Sequence, residues 1–397
     1  MNNINQSRSL IITRTQIVKL LLMVLFVSMC LQNVVLLDLG GFGIKLSHVV
    51  SLLFLPLLYK VKIILPNRII NFAYLGFGLI SLIAGFFYGL NSLLFNYIFG
   101  YYVLVISLNI LKILTVDEIK KCIRFSASLV FFICVVNIAL QFDAILSFLN
   151  DSSNGHPLIN TVFSGGVNLE SSWLGLFVCF FADKKYIKYA FLLLSTIISF
   201  LLSSRAGLII NVLTLLYFII NLSKSNRRIV YLCLFVIVII TSIVFSDYII
   251  INLKRFVNIG NESGSIGRIA MWKYIIPALN KNVFGYGVGN SIYAIEQISG
   301  IDFVENNIHN IYFQFLLDFG IIGIIFIVGV LIYFINDLIK NKRNIFCAFI
   351  VIYYVVGMIE FRGGDALFFL VLGIYFLTKR QGVKVKNGSA EVIRCYT

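Results

Sequence analysis

The chain has 397 residues, 60% of them hydrophobic and 12% charged. A soluble domain runs at roughly 45–50% apolar and about 25% charged, so the composition excludes a soluble globular protein and describes a membrane protein with many spans. The net charge of +15 would suggest nucleic acid in a soluble chain. Here the basic residues sit in short loops, where they set topology, and nucleic acid is set aside as a partner.

Residues 1–16 are polar. The first apolar run, 17–37, has spanning length and no small-residue cleavage site, so it reads as a retained span. Further runs follow at 44–59, 69–88, 93–111, 122–141, 168–182, 186–202, 206–222, 229–249, 310–335, 345–359 and 366–378. Lipid offers the backbone no partners, so all twelve are expected to be helices. With the N-terminus inside, 24 of the 32 Lys and Arg fall in inside segments and 8 outside. That bias predicts a single polytopic domain over 1–397 with both termini cytoplasmic. One outer loop is of medium length, 142–167. Another, 250–308 between spans nine and ten, is large and polar, and it is where function is expected. The seven cysteines show neither metal nor disulfide spacing and read as small core residues.

The outer side carries the residues that break the basic bias. Arg205, in "SSRAG", stands at the outer boundary, where an arginine is costly unless it faces a cavity or an anion. Arg268 opens "GRIAMWKYIIPALNKN", in which Arg268, Trp272, Ile275 and Leu279 share helical spacing while Lys273 lies off that stripe. The pattern predicts one amphipathic helix lying in the interface. The segment "GYGVGN", 285–290, is of a kind that cradles phosphate or simply turns. In "HNIYFQFLLDFGIIG", His309 heads span ten. The positive end of the helix dipole disfavours an imidazolium there, which leaves a neutral ring able to accept a proton. Gly320 and Gly323 project onto the face of His309, at about +20° and −40° on an ideal helix, where they would let a neighbouring helix approach. Asp318 is expected to bond to a neighbouring helix. Glu170 in "NLESSWLG", and Glu360 and Arg362 in "EFRGGD", are further candidates for substrate contact, as are Trp272 and Lys273; His156 lies in the medium loop and His48 in span two. No DxD and no His/Asp/Glu group has metal-ligand spacing, so no metal or cofactor is expected.

Taken together, His309, Asn310, Gly320 and Gly323, the preceding "GRIAMWKYIIPALNKNVFGYGVGN" with Arg268, and "SSRAG" with Arg205 resemble the motifs of the O-antigen ligase/polymerase family over about 200–335. Asp318 stands where Glu is expected in many members. The resemblance implies a GT-C-like all-α membrane fold and metal-independent glycosyl transfer from undecaprenyl pyrophosphate at the periplasmic face of the bacterial inner membrane. It implies catalytic roles for His309, Arg268 and Arg205. "FGYGVGN" favours a polymerase, within lipopolysaccharide biosynthesis, working beside a chain-length regulator and a flippase. The alternatives are a ligase that moves the glycan to lipid A–core, and a polysaccharide flippase, a class that twelve spans would also suit.

Overall fold

The computed structural model describes residues 2–38, 43–59, 61–66, 68–89, 91, 93–150, 157–163, 165–222, 263–303, 307–361 and 363–386. The expected span 229–249, His156 and Arg362 lie outside these. The helices are α1 (Asn2–Cys30), α2 (Leu46–Leu52), α3 (Arg68–Tyr88), α4 (Leu93–Ile110), α5 (Val116–Leu140), α6 (Phe142–Asn150), α7 (Gly166–Phe177), α8 (Ile187–Leu201) and α9 (Arg205–Ile220). After them come α10 (Ser263–Trp272), α11 (Ile275–Lys281), α12 (Ser291–Ser299), α13 (Ile311–Lys340), α14 (Ile345–Val356) and α15 (Ala366–Lys386). Among the described residues four helical stretches are long and apolar enough to cross a membrane: Arg68–Tyr88, Leu93–Ile113, Val116–Leu140 and Ile311–Lys340. Five more are apolar but shorter. The chain is a helical membrane protein, and twelve spans remain the reading of its hydropathy and charge. The first run departs from expectation. Its helix stops at Cys30, and Val35–Asp38 pairs antiparallel with Gly43–Lys45. The turn former Asn33 and the β-branched Val34 and Val35 explain the change.

The chain divides into two compact units. One comprises Met1–Leu75, Phe95–Val130 and Gly364–Thr397. In it α4 and α15 close up through glycines: a Cβ on Gly100 would lie 2.2 Å from the Phe369 ring, and one on Gly373 would lie 1.8 Å from Ser107 Oγ. A capping box starts α5, with Glu118 accepting from the Thr115 amide at 2.9 Å and Lys19 pairing to Glu118 at 2.7 Å.

The other unit comprises Gly76–Leu94 and Phe131–Gly363. Helices α7 and α9 run parallel, because a Cβ on Gly207 would meet Ser171 while one on Gly175 would meet Ile210 and Asn211. Helix α8 lies antiparallel to α9: Asn211 accepts from Ser195 at 2.9 Å and donates to Ser199 at 3.2 Å. Helix α14 runs antiparallel to α7, since Trp173 meets Tyr353 whereas Phe180, two turns on, meets Phe346. The start of α7, the start of α9 and the end of α14 therefore share one end of the group.

Helix α13 is not continuous. Gly320 has φ 66° and ψ −156°, a conformation essentially confined to glycine. The segment 283–287 fills the break. Tyr286 and Gly287 donate to the carbonyls of Leu317 and Asp318 at 2.8 and 2.9 Å, and Ile321 donates to Val283 at 3.2 Å. The ideal-helix projection that put Gly320 and Gly323 on the face of His309 thus fails at Gly320, where the packed neighbour is irregular backbone rather than a helix.

Candidate functional site

His309 lies just outside α13. Asn310 is the N-cap, its side chain accepting from Tyr312 and Phe313 at 3.0 and 3.1 Å. His309 itself has φ 55°, a left-handed conformation that costs a non-glycine residue energy. Asn307 holds it there. Its Oδ1 accepts from the His309 amide at 2.8 Å, and its Nδ2 lies 3.2 Å from His309 Nε2. An amide N–H can only donate, so the Asn307 oxygen must face it and the nitrogen must face the ring. Nε2 is therefore the acceptor, and the neutral ring carries its proton on Nδ1. Asn307, 3% exposed, was missed in the sequence. An asparagine two residues ahead of His309 was the available signal, as an Asx turn.

Three bonds gather this turn, the end of α14 and α10. Ile311 donates to Gly357 at 2.7 Å. Arg268 Nη1 donates to Ile359 at 3.2 Å. Trp272 Nε1 donates to Ile308 at 3.0 Å. Arg268 and His309 are thus tethered to one corner, 357–359. Arg268 Nε is buried and has no hydrogen-bond partner among the described residues. Arg205 is placed by a different set of elements. It is the first residue of α9, after Ser204, whose hydroxyl accepts from Gly207 at 3.2 Å. Because α9 starts at the end of the group where α14 finishes, Arg205 shares that end with Arg268 and His309. The two non-glycine residues with positive φ among those described are His309 and Ser203 (φ 50°), and each lies within two residues of a predicted site residue.

The region 268–281 corrects the sequence expectation. Pro277 cannot donate to the carbonyl of Lys273 and crowds it, so one helix becomes two, α10 and α11, broken at Lys273 and Tyr274. The buried stripe is Met271, Ile275 and Ala278. It packs on Tyr286, Ile295, Ile308 and Leu317, with Trp272 and Leu279 at its margin. The apolar face meets protein rather than an interface. Lys273 is exposed in the break. The glycine-rich segment is no phosphate cradle. Its amides at Tyr286, Gly287 and Val288 go to the carbonyls of Leu317 and Asp318 and to Ser81 Oγ. Asp318 accepts as well from Ser291 and from Gln314 at 3.0 Å, so it joins α12 and the glycine segment to α13. Glu170 is fully buried. Its Oε2 accepts from Val162 and Phe163, and Oε1 has no partner among the described residues. Phe361 stacks on Tyr353 at 4.3 Å beside Trp173. Among the described residues no three of His, Cys, Asp and Glu could hold a metal ion together.

A helical membrane protein with arginine and histidine gathered at one end of a helix group is the class these features define. Residues 190–328 match the O-antigen ligase family model, consistent with an O-antigen ligase/polymerase family. Glycosyl transfer of ligase/polymerase type is what such a domain supports. No curated protein matches the chain. The matched segment holds Arg205, Arg268 and His309.

Proposed function

We propose that the chain polymerises oligosaccharide repeat units carried on undecaprenyl pyrophosphate, at the periplasmic face of a bacterial inner membrane, with both termini cytoplasmic. The tethering of Arg268 and His309 to one backbone corner carries this reading. The acceptor hydroxyl attacks the anomeric carbon of the growing glycan. As that C–O bond forms, the bond from the carbon to pyrophosphate breaks, and the pyrophosphate departs with the electron pair. His309 takes the hydroxyl proton on Nε2 as the substrate replaces the Asn307 amide. Arg268, with its unengaged Nε, and Arg205 bind the pyrophosphate and offset its growing charge. Trp272 and Glu170 position the segments around them, and Lys273 and Arg362 add positive charge for the anionic donor. No metal is required, so EDTA should leave transfer intact.

The matching model's description favours a second reading, transfer of the glycan to lipid A–core. Polymerase is preferred for the likeness of "FGYGVGN". The surface glycan of a deletion strain decides between them: one repeat per core marks a polymerase, and a naked core with long lipid-linked chains marks a ligase. A flippase would instead leave repeat units on the cytoplasmic side. A chain-length regulator and a flippase are the expected partners.

His309→Ala should lower turnover by roughly 10²–10⁴ while leaving donor binding intact. Arg268→Lys and Arg205→Lys should fail nearly as badly as alanine, because lysine lacks the planar fork. Donor affinity measured beside turnover checks this. Loss of donor binding in His309→Ala, with either arginine variant unaffected, would overturn the roles.

A further inference from the structure

A second feature of this unit is a string of aromatic rings. Tyr286 lies in the core cluster that also holds Ile308, the residue before His309. Its ring is 5.2 Å from that of Tyr88, which lies 6.3 Å from Tyr293 and 6.4 Å from Phe87. Exposure rises along the string, from 4% at Tyr286 to 36% at Tyr88, 46% at Tyr293 and 78% at Phe87. It therefore starts at the break in α13, where Tyr286 donates to the Leu317 carbonyl, and opens outward.

The exposed face of α3 reads Phe72, Leu75, Leu79, Leu82 and Phe86 and changes to tyrosine only at its last residue, as a span does where it reaches the membrane boundary. One observation separates the string from a plain aromatic belt there. Tyr293 shares a face of α12 with Glu296 and the exposed Gln297, three and four residues on. A lipid-facing helix would not set a carboxylate and an amide beside its tyrosine. Rings with hydroxyl tips, flanked by amide and carboxylate, suit a ligand with apolar C–H faces and a rim of hydroxyls.

Resting on the reading of the chain as a glycan transferase, we propose that Tyr88 and Tyr293, with Gln297, form a stacking platform for pyranose rings. The platform holds the glycan several sugars from the reacting carbon. It contributes to the affinity for glycan and leaves the chemical step unchanged.

The test uses the full chain in nanodiscs and two probes: the lipid-linked oligosaccharide that accumulates in cells lacking the chain, and the glycan released from it by mild acid. Leucine at 88 or 293 keeps apolar area and removes the ring; phenylalanine keeps the ring. Tyr88→Leu and Tyr293→Leu should each raise KM, and weaken binding of the released glycan, by about tenfold with kcat unchanged. The phenylalanine variants should stay within about twofold. Gln297→Ala, an exposed change without risk to folding, should also weaken released-glycan binding. If the wild type transfers glycan and the leucine variants and Gln297→Ala match it, the platform is wrong and the transferase reading stands. If the wild type transfers none but binds released glycan in a Tyr88-dependent way, the platform stands and the transferase reading falls. Equal losses in leucine and phenylalanine variants would also overturn the platform.

Discussion

Glycine serves opposite ends in two regions of the same unit. In the α7–α9 group, Gly175 and Gly207 sit in ordinary helix, and the atoms a Cβ would strike belong to the side chains of Ser171, Ser199, Ile210 and Asn211. At the break in α13, Gly285, Gly287 and Gly320 have positive φ, and a Cβ on Gly320 would lie 1.9 Å from the Val283 carbonyl oxygen. The first group makes room and the second makes shape. A side chain in the way can be traded for another, whereas backbone cannot. Damage in the first region should therefore be repairable from a neighbour, and damage in the second should not.

The largest effect expected is from Gly320→Ala. It combines a forbidden backbone conformation with a clash against a carbonyl that is itself hydrogen-bonded to Ile321. Monodisperse protein should be lost on size exclusion in detergent. Gly329→Ala on the same helix, where nothing lies within 4 Å, should purify as the wild type does. Folded Gly320→Ala protein with normal activity would mean that the break has no part in the fold.

Asp318 tests the other half of that corner. Asp318→Ala leaves Ser291 and Gln314 without their acceptor inside the protein. The loss should be roughly 3 kcal/mol, read as a lowered midpoint in thermal unfolding. Asp318→Asn keeps one oxygen and should lose less than half as much. If alanine and asparagine destabilise equally, the carboxylate is not what fastens α12 to α13.

Much of this division was legible in the residues. The apolar runs announced helices, and the motif around His309 marked the turn that shares the 357–359 corner with Arg268. What could not be read there was local backbone. The projection of Gly320 onto the face of His309 assumed an uninterrupted helix, and nothing in "DFGIIG" says that 283–287 enters beside it. The apolar stripe at 268–281 runs through Pro277, whose clash with the Lys273 carbonyl is legible in the sequence. Its protein partners, Ile308 and Leu317, are not, because they lie tens of residues away. "GYGVGN" was open between anion cradle and turn, since the spacing of glycines does not reveal which carbonyls their amides meet. Asn307 escaped because its role depends on a left-handed His309.

The smallest effect, and the sharpest probe of the comparison, is at Gly175. A Cβ there would lie 2.7 Å from Ile210 Cγ2 and 3.0 Å from Asn211 Oδ1, so Gly175→Ala should cost roughly 1–2 kcal/mol by overpacking. The main obstacle is one methyl on the β-carbon of Ile210. Leucine moves that branch one carbon outward at the same volume, and valine keeps it in place. Gly175→Ala with Ile210→Leu should therefore recover more than half of the lost thermal midpoint, and Gly175→Ala with Ile210→Val should recover little. Recovery stays incomplete because Asn211 Oδ1, fixed by its bond from Ser195, has no room to withdraw. Equal recovery by leucine and valine would show that volume rather than branch position governs the contact. The absence of recovery with either would place α7 and α9 with the backbone-limited glycines of α13 and end the distinction.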